Sequence, residues 1–247
     1  MKGRPDAEAA SGLPFFESGA IARAKGRKEM TNAIIFDLDG LMFDTEPTWI
    51  AAWGPAFSEE GLQFDKKLLP QFFGASQEAI EQIIAQEYNS NPRAIKAVRE
   101  HVRIASKAMM DKGAPKKPGL DELLEYAAAQ GLGCAVASAS GRNLVEAHLA
   151  HGKISGFFQA VVAGDDGLPS KPAPDVFLEA ARRLHAQPSE TLVLEDSEKG
   201  IEAASAGGFI PVMVPDMIEP SPEINSMARY VCSSLLDVRD LLAEGRL

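Results

Sequence analysis

Two textures of apolar residues alternate along this chain. Short runs of β-forming residues occur at 33–36, 132–137, 158–163, 191–194, 210–214 and 229–232, and each is too short for a stable helix. Between them, apolar positions return every three or four residues, which predicts helices over 119–130, 142–151, 174–186, 198–206 and 235–244. One interval breaks the alternation. From Pro47 to Gly113 only helical patterning is found, with helices expected at 47–60, 66–73, 76–88 and 92–111 and breaks at Gly61, Gly74 and Asn89-Ser90-Asn91-Pro92. A crossover between parallel strands normally needs a single helix, so this interval predicts an inserted helical module.

The strands are almost continuously apolar, which marks a parallel sheet covered by helices on both faces. The expected fold is α/β: a Rossmann-like doubly wound parallel sheet core with an inserted helical cap domain. The core takes residues 30–46 and 114–247, and the cap takes 47–113. Residues 1–29 show no sustained period and no apolar signal-peptide core, and are read as a disordered N-terminal extension. Asp6, Glu8, Glu17 and Glu29 also disfavour a transit peptide there.

Composition narrows the function classes. Of 247 residues, 45% are hydrophobic and 24% charged, as in ordinary globular proteins. A formal net charge of −10 argues against a nucleic-acid surface. No apolar run is long enough to cross a membrane. Cys134 and Cys232 both lie in apolar, strand-like contexts and are expected as buried free thiols, which fits a reducing cytoplasmic location.

Candidate chemistry gathers where strands end. The first run stops in Asp37-Leu38-Asp39-Gly40, the second in Ser138-Ala139-Ser140-Gly141, and the fourth in Glu195-Asp196. In open α/β sheets, ligands bind outside the carboxyl ends of the strands. Buried carboxylates there are costly unless a cation or hydrogen bonds compensate. Asp37, Asp39, Glu195 and Asp196 form a hard oxygen donor set without Cys or His ligand spacing, which suits Mg2+. Lys171, in Ser170-Lys171-Pro172, offers a fixed positive charge. The Ser138 hydroxyl and the following backbone N–H, from Ala139 onward, can donate to an anion. Together they point to metal-assisted phosphoryl transfer, in which one aspartate could attack phosphorus and a second carboxyl could serve as acid and base.

Plainer readings exist for each group. Ser138 and Ser140 could cap the helix beginning near Arg142, Lys171 could be an exposed loop residue, and Glu195 and Asp196 could be acids favoured at a helix start. His101, His148, His151 and His185 lack matching partners in the pattern and read as surface or core residues. Trp49 and Trp53 read as packing.

Four segments in order carry a resemblance: FDLDG at 36–40, VASAS at 136–140, SKPAPD at 170–175 and LEDSEKGIEAA at 194–204. Over about residues 32–245 the sequence resembles the haloacid dehalogenase-like hydrolase superfamily, in the group of β-phosphoglucomutase and small sugar-phosphate phosphatases. The resemblance implies Asp37 as nucleophile and Asp39 as acid/base, with the Asp39 backbone carbonyl on Mg2+. It implies Ser138 and Ala139 as phosphoryl-binding, Lys171 as the bridge between nucleophile and phosphate, Asp196 as a metal ligand, and Glu195 supporting the metal directly or through water. It also implies that residues 47–113 close over the site and select the substrate.

The expected activity is a Mg2+-dependent phosphatase acting on a small phosphorylated metabolite, with a hexose-phosphate mutase as the rival. A receiver-like phospho-accepting domain also uses an aspartate, a hydroxyl and a lysine around Mg2+, but Asp39 and the helical insert speak against it. Two departures from the mutases favour the phosphatase. Trp49 stands where related mutases carry a histidine, and Gly74-Ala75-Ser76-Gln77 places a glutamine where they carry a phosphate-binding arginine. A monomer without nucleic-acid or membrane partners is expected, with an oligomer left open.

Overall fold

The computed structural model describes residues 31–72 and 77–247. The expected N-terminal extension and the Gly74-Ala75-Ser76 stretch lie outside the described residues, and so does the side chain of Gln77. Six strands form one sheet: β1 (Ala33–Phe36), β2 (Gly133–Ala137), β3 (Ala160–Val162), β4 (Thr191–Glu195), β5 (Ile210–Met213) and β6 (Tyr230–Val231). Their order is β3-β2-β1-β4-β5-β6, and every pairing is parallel. The chain winds outward in one direction from β1 to β3, then returns to β4 on the other side of β1. That reversal makes the β1/β4 junction the topological switch point, where a crevice opens at the carboxyl ends.

Side-chain alternation explains why both faces are covered. On β1, Ile34 and Phe36 enter one apolar cluster and Ile35 the other. The first cluster takes Leu123 and Leu124 of α4 (Leu120–Gln130), Val145 and Leu149 of α5 (Arg142–His151), and Val238 and Leu242 of α9 (Leu235–Ala243). The second takes Phe177 and Ala180 of α6 (Asp175–Leu184) and Ala203 and Ala204 of α7 (Glu198–Ala206). Cys134 and Cys232 are buried and free, as their apolar contexts predict.

In its described part, the stretch between β1 and α4 contains helices joined by loops and no strand of the sheet. It contains α1 (Glu46–Glu59), a 3-10 helix over Lys66–Gln71, α2 (Gln77–Glu87) and α3 (Pro92–Lys112). The α-helix expected at 66–73 is this shorter 3-10 turn, capped by Asp65 on the Lys67 N–H and carrying Pro70, which cannot donate to an α-helical ladder. A helix absent from the expected pattern, α8 (Pro222–Met227), is started by the Ser221 side chain and Pro222. At six residues it is too short to show a helical period.

This helical stretch has its own apolar cluster, with Trp53, Phe57, Leu68, Phe72, Ile84 and Val98 buried in it. Trp53 is packing, as expected, and its face stacks on His101, with ring centroids 3.5 Å apart and planes 10° apart. His101 is 5% exposed, and its Nε2 lies 2.7 Å from the Trp49 carbonyl. Of the other histidines, His148 is fully buried and stacked on Phe43, His151 Nε2 lies 2.8 Å from the Met110 carbonyl, and His185 ends α6.

Burial disfavours the charged imidazole of His101 and lowers its pKa from 6.5 to about 4, although the bond to the Trp49 carbonyl favours the cation. The folded state therefore resists a proton that the unfolded chain accepts below pH 6.5. Its contribution is complete above the unfolded pKa and is lost as pH falls toward about 4. Urea denaturation at pH 7 and pH 4.5 should show a loss in His101→Phe smaller than in the unsubstituted chain by about 2 to 3 kcal/mol. Equal losses in the two proteins would show that His101 does not carry this linkage.

Candidate active site

Strand register brings the predicted residues together. Phe36 of β1 pairs with Val136 of β2 and Leu194 of β4. The next residue on each strand, Asp37, Ala137 and Glu195, therefore stands at one level on the carboxyl edge. Asp37, Glu195 and Asp196 converge so that one carboxylate oxygen from each lies within 4.8 Å of the others.

Lys171 holds this group. It is not the exposed loop residue of the plainer reading, because its side chain is only 12% exposed. Its ammonium donates to Asp37 Oδ1 and, at 2.5 Å, to Glu195 Oε1, and it reaches the Ala137 carbonyl at 3.3 Å. Phe177 lies beneath, with the ammonium 4.8 Å from the ring centroid. Burial favours the neutral amine, but the two carboxylates together outweigh it and hold Lys171 above the ordinary lysine range. Burial raises the pKa of Asp37 to about 7, with Lys171 opposing the shift and Glu195 adding to it. Asp196 is pushed well above the usual carboxylate range by burial and then by the charges of Glu195 and Asp37.

Asp39 sits one turn beyond. Gly40, at φ +78°, bends the chain there in a conformation that disfavours a side chain. The Ser140 hydroxyl donates to Asp39 Oδ2 at 2.7 Å, while Asp39 Oδ1 is buried without a protein donor among the described residues. Ser138 is buried, and its Oγ accepts from the Ser140 N–H at 3.0 Å. Neither serine caps α5, whose cap residue is Gly141 and whose Arg142 N–H is taken by Asp165. Ala139 is exposed on the same loop. Likewise Glu195 and Asp196 are not helix-start acids, since Ser197 caps α7 and Glu198 fills its first turn.

One expected role shifts in emphasis. Glu195 Oε1 takes Lys171, and Oε2 takes both the N–H and the hydroxyl of Ser197. With both oxygens engaged, Glu195 is built to anchor Lys171, which leaves Asp37 and Asp196 as the better-placed side chains for a cation. The donor set fits a hard divalent ion. It is all oxygen, and one buried ammonium stands against the three clustered carboxylates.

Three residues nearby were not legible as site residues. Glu46, the first residue of α1, is raised to about 7 by burial and then by Asp39, Asp216 and Asp44, with Lys117 opposing. Lys117 donates to Asp216 Oδ1 at 2.5 Å and lies 4.0 Å from Asp44. Glu46 before Pro47 reads locally as a helix start. Lys117 and Asp216 lie outside the four motifs, and nothing in their neighbourhoods signals the contact.

The arrangement agrees with what the sequence matches. The sequence model of the haloacid dehalogenase-like hydrolases aligns with residues 34–214. The chain belongs to the haloacid dehalogenase-like hydrolase family. A fructose-1-phosphate phosphatase of Escherichia coli, YqaB, is 35% identical over 73% of this chain and 95% of its own length. Hexitol phosphatase B of the same organism is 28% identical over 85% of this chain and 96% of its own length. Among solved structures, a β-phosphoglucomutase of Clostridium difficile superposes with a TM-score of 0.71 at 24% identity, covering 87% of this chain and 97% of that one, a likeness of fold. Phosphatases of this haloacid dehalogenase-like family hydrolyse phosphoric monoesters and generally use a divalent metal, which the acidic cluster could hold.

In this family member Glu195 needs the space that Gly200 leaves. A Cβ on Gly200 would stand 1.9 Å from Glu195 Cδ and 2.0 Å from Oε1. Helix propensity alone would make Gly200→Ala stabilising by about 1 kcal/mol. The clash reverses the sign, and urea denaturation should show a loss of about 2 to 4 kcal/mol as the Glu195–Lys171 pair is forced apart. A gain in stability would mean that Glu195 is not held where it stands.

Proposed function

We propose that this protein is a Mg2+-dependent phosphatase that removes the phosphoryl group from a small sugar or polyol phosphate through an aspartyl-phosphate on Asp37. The observation that carries the reading is the buried bridge from Lys171 to Asp37 and Glu195 at the strand ends, with Asp39 held beside it by Ser140. Lys171 favours the ionised, nucleophilic form of Asp37 against the effect of burial. Asp37 attacks phosphorus and the bond to the leaving oxygen breaks. Asp39 gives that oxygen its proton. Asp39 then takes a proton from water as the water attacks phosphorus and releases Asp37. Ser138 and the Ala139 N–H hold the phosphoryl oxygens. Asp37, the Asp39 carbonyl and Asp196 would hold Mg2+, which when bound would supply charge neutralisation for the phosphoryl group. The helices over 47–113 act as the cap.

Local charge favours hydrolysis over mutase chemistry. Glu46 lies among the charges of Asp39, Asp216 and Asp44, with Lys117 opposing them. An acidic wall on the leaving-group side disfavours a second phosphate and suits a neutral, hydroxyl-rich leaving group, which forms charge-assisted hydrogen bonds to carboxylates. Trp49 supports the same reading, since it places an indole where related mutases carry a histidine. The sugar and hexitol phosphatases among the relatives fit this substrate class.

The test is phosphate release from fructose 1-phosphate, sorbitol 6-phosphate and β-glucose 1-phosphate with Mg2+, followed by 31P NMR, with a trace of glucose 1,6-bisphosphate in the last. Free phosphate should form without appreciable isomer, and Asp37→Asn should lose at least about 1000-fold in kcat, as removal of a catalytic nucleophile does. Glucose 6-phosphate outpacing free phosphate would overturn the phosphatase reading.

A further inference from the structure

Asp216 lies three residues beyond the end of β5, on the stretch that continues alongside β4, where the Val214 N–H donates to the Glu195 carbonyl at 2.7 Å. Its side chain is only 11% exposed. The two carboxylate oxygens have different surroundings. Oδ1 accepts from the Lys117 ammonium at 2.5 Å, whereas Oδ2 is buried and has no protein donor among the described residues. A buried carboxylate oxygen without a donor is costly, and none of the described residues supplies one.

The position of Oδ2 narrows what could do so. A Cβ built on Gly40 would lie 2.3 Å from Asp196 Oδ2 and 3.3 Å from Asp216 Oδ2. Both carboxylates therefore converge on the space that Gly40 leaves open, no farther apart than those two distances combined. Asp216 is not one of the three residues whose oxygens cluster tightly enough to share an ion directly. A small donor between Asp216 and the ion meets all of these conditions. Magnesium keeps several of its waters, and such a water is a strong donor to an anion.

We propose that Asp216, anchored by Lys117, accepts a hydrogen bond from a water in the coordination shell of the cation on Asp37 and Asp196, and so strengthens metal binding. Asp216 is a positioning residue and does not touch the reacting atoms. Lys117 is itself fixed. Its N–H donates to the Met42 carbonyl at 2.9 Å, and Asp44 donates to the Pro115 carbonyl at 2.8 Å, so its segment is stitched to the loop that follows Asp39. A simple ion pair between loops would account for Oδ1 and leave Oδ2 unexplained.

The inference rests on the metal site of the proposed function, and the experiment separates the two. Isothermal titration of the full chain with Mg2+ alone measures affinity, with Asp196→Asn as the control that should abolish binding. Asp216→Asn keeps the volume and removes the charge, and should weaken Mg2+ about 10- to 100-fold, the usual effect of losing a partner of a metal's bound shell. Asp216→Ser serves if the amide variant misfolds, with thermal midpoints in EDTA reporting the metal-free fold of each. Mg2+ affinity within about twofold of the unsubstituted chain in a folded Asp216 variant, alongside loss in Asp196→Asn, overturns the role of Asp216 alone. No Mg2+ binding by the unsubstituted chain overturns the metal site and the inference together.

Discussion

A single buried ammonium organises this molecule. Lys171 lies between Asp37 and Glu195, neither of which reaches water freely, and each would be costly to bury without it. Removing one partner from such a buried pair typically costs about 3 to 5 kcal/mol, because the remaining charge is left uncompensated. One lysine cannot balance the whole cluster, since Asp196 lies within the same few ångströms. The residual negative charge suits a divalent cation, the kind of ion that phosphatases of this family generally use. The surrounding structure serves that geometry. Parallel pairing sets Asp37 and Glu195 level, Ser197 fixes the second oxygen of Glu195, and Gly200 leaves room for its carboxylate.

The surroundings of Asp39 are asymmetric. Toward the sheet stand Lys171 and the serine loop, donors suited to phosphoryl oxygens. Around Glu46 stand Asp39, Asp216 and Asp44, with Lys117 opposing their charge. A phosphomonoester has the same asymmetry, with an anionic end and a hydroxylated end. The fold produces it from one loop, because Asp37, Asp39, Asp44 and Glu46 all leave β1 within ten residues and turn at Gly40.

Much of this was legible because strand-end chemistry is local. The apolar run of β1 and its abrupt end in Asp37-Leu38-Asp39-Gly40 state both a buried strand and its functional edge, and the same holds for Ser138 and for Glu195-Asp196. Helix α5 falls where its period places it, at 142–151, and α7 at 198–206. What escaped is set by contacts between distant segments. Lys117 and Asp216 are 99 positions apart, and only folding brings them together. Glu46 looks like any acid at a helix start until burial and its neighbours are known. Lys171 looks exposed in its Pro-rich loop, and only the sheet beneath shows that it points inward. The α8 turn has only six residues, too few to show a period.

The covalent role of Asp37 is the claim on which the mechanism stands. In the proposed mechanism Asp39→Asn would remove the group that activates water, and with a substrate whose leaving group needs no proton, such as acetyl phosphate, the first transfer should still proceed. Acid-quenched Asp39→Asn, digested and examined by mass spectrometry after reaction with acetyl phosphate and Mg2+, should carry one phosphoryl group on the peptide containing Asp37, and Asp37→Asn should carry none. Hydrolysis by the unsubstituted chain with no phosphoryl group on Asp37 in that variant would contradict the account and point to direct attack by water.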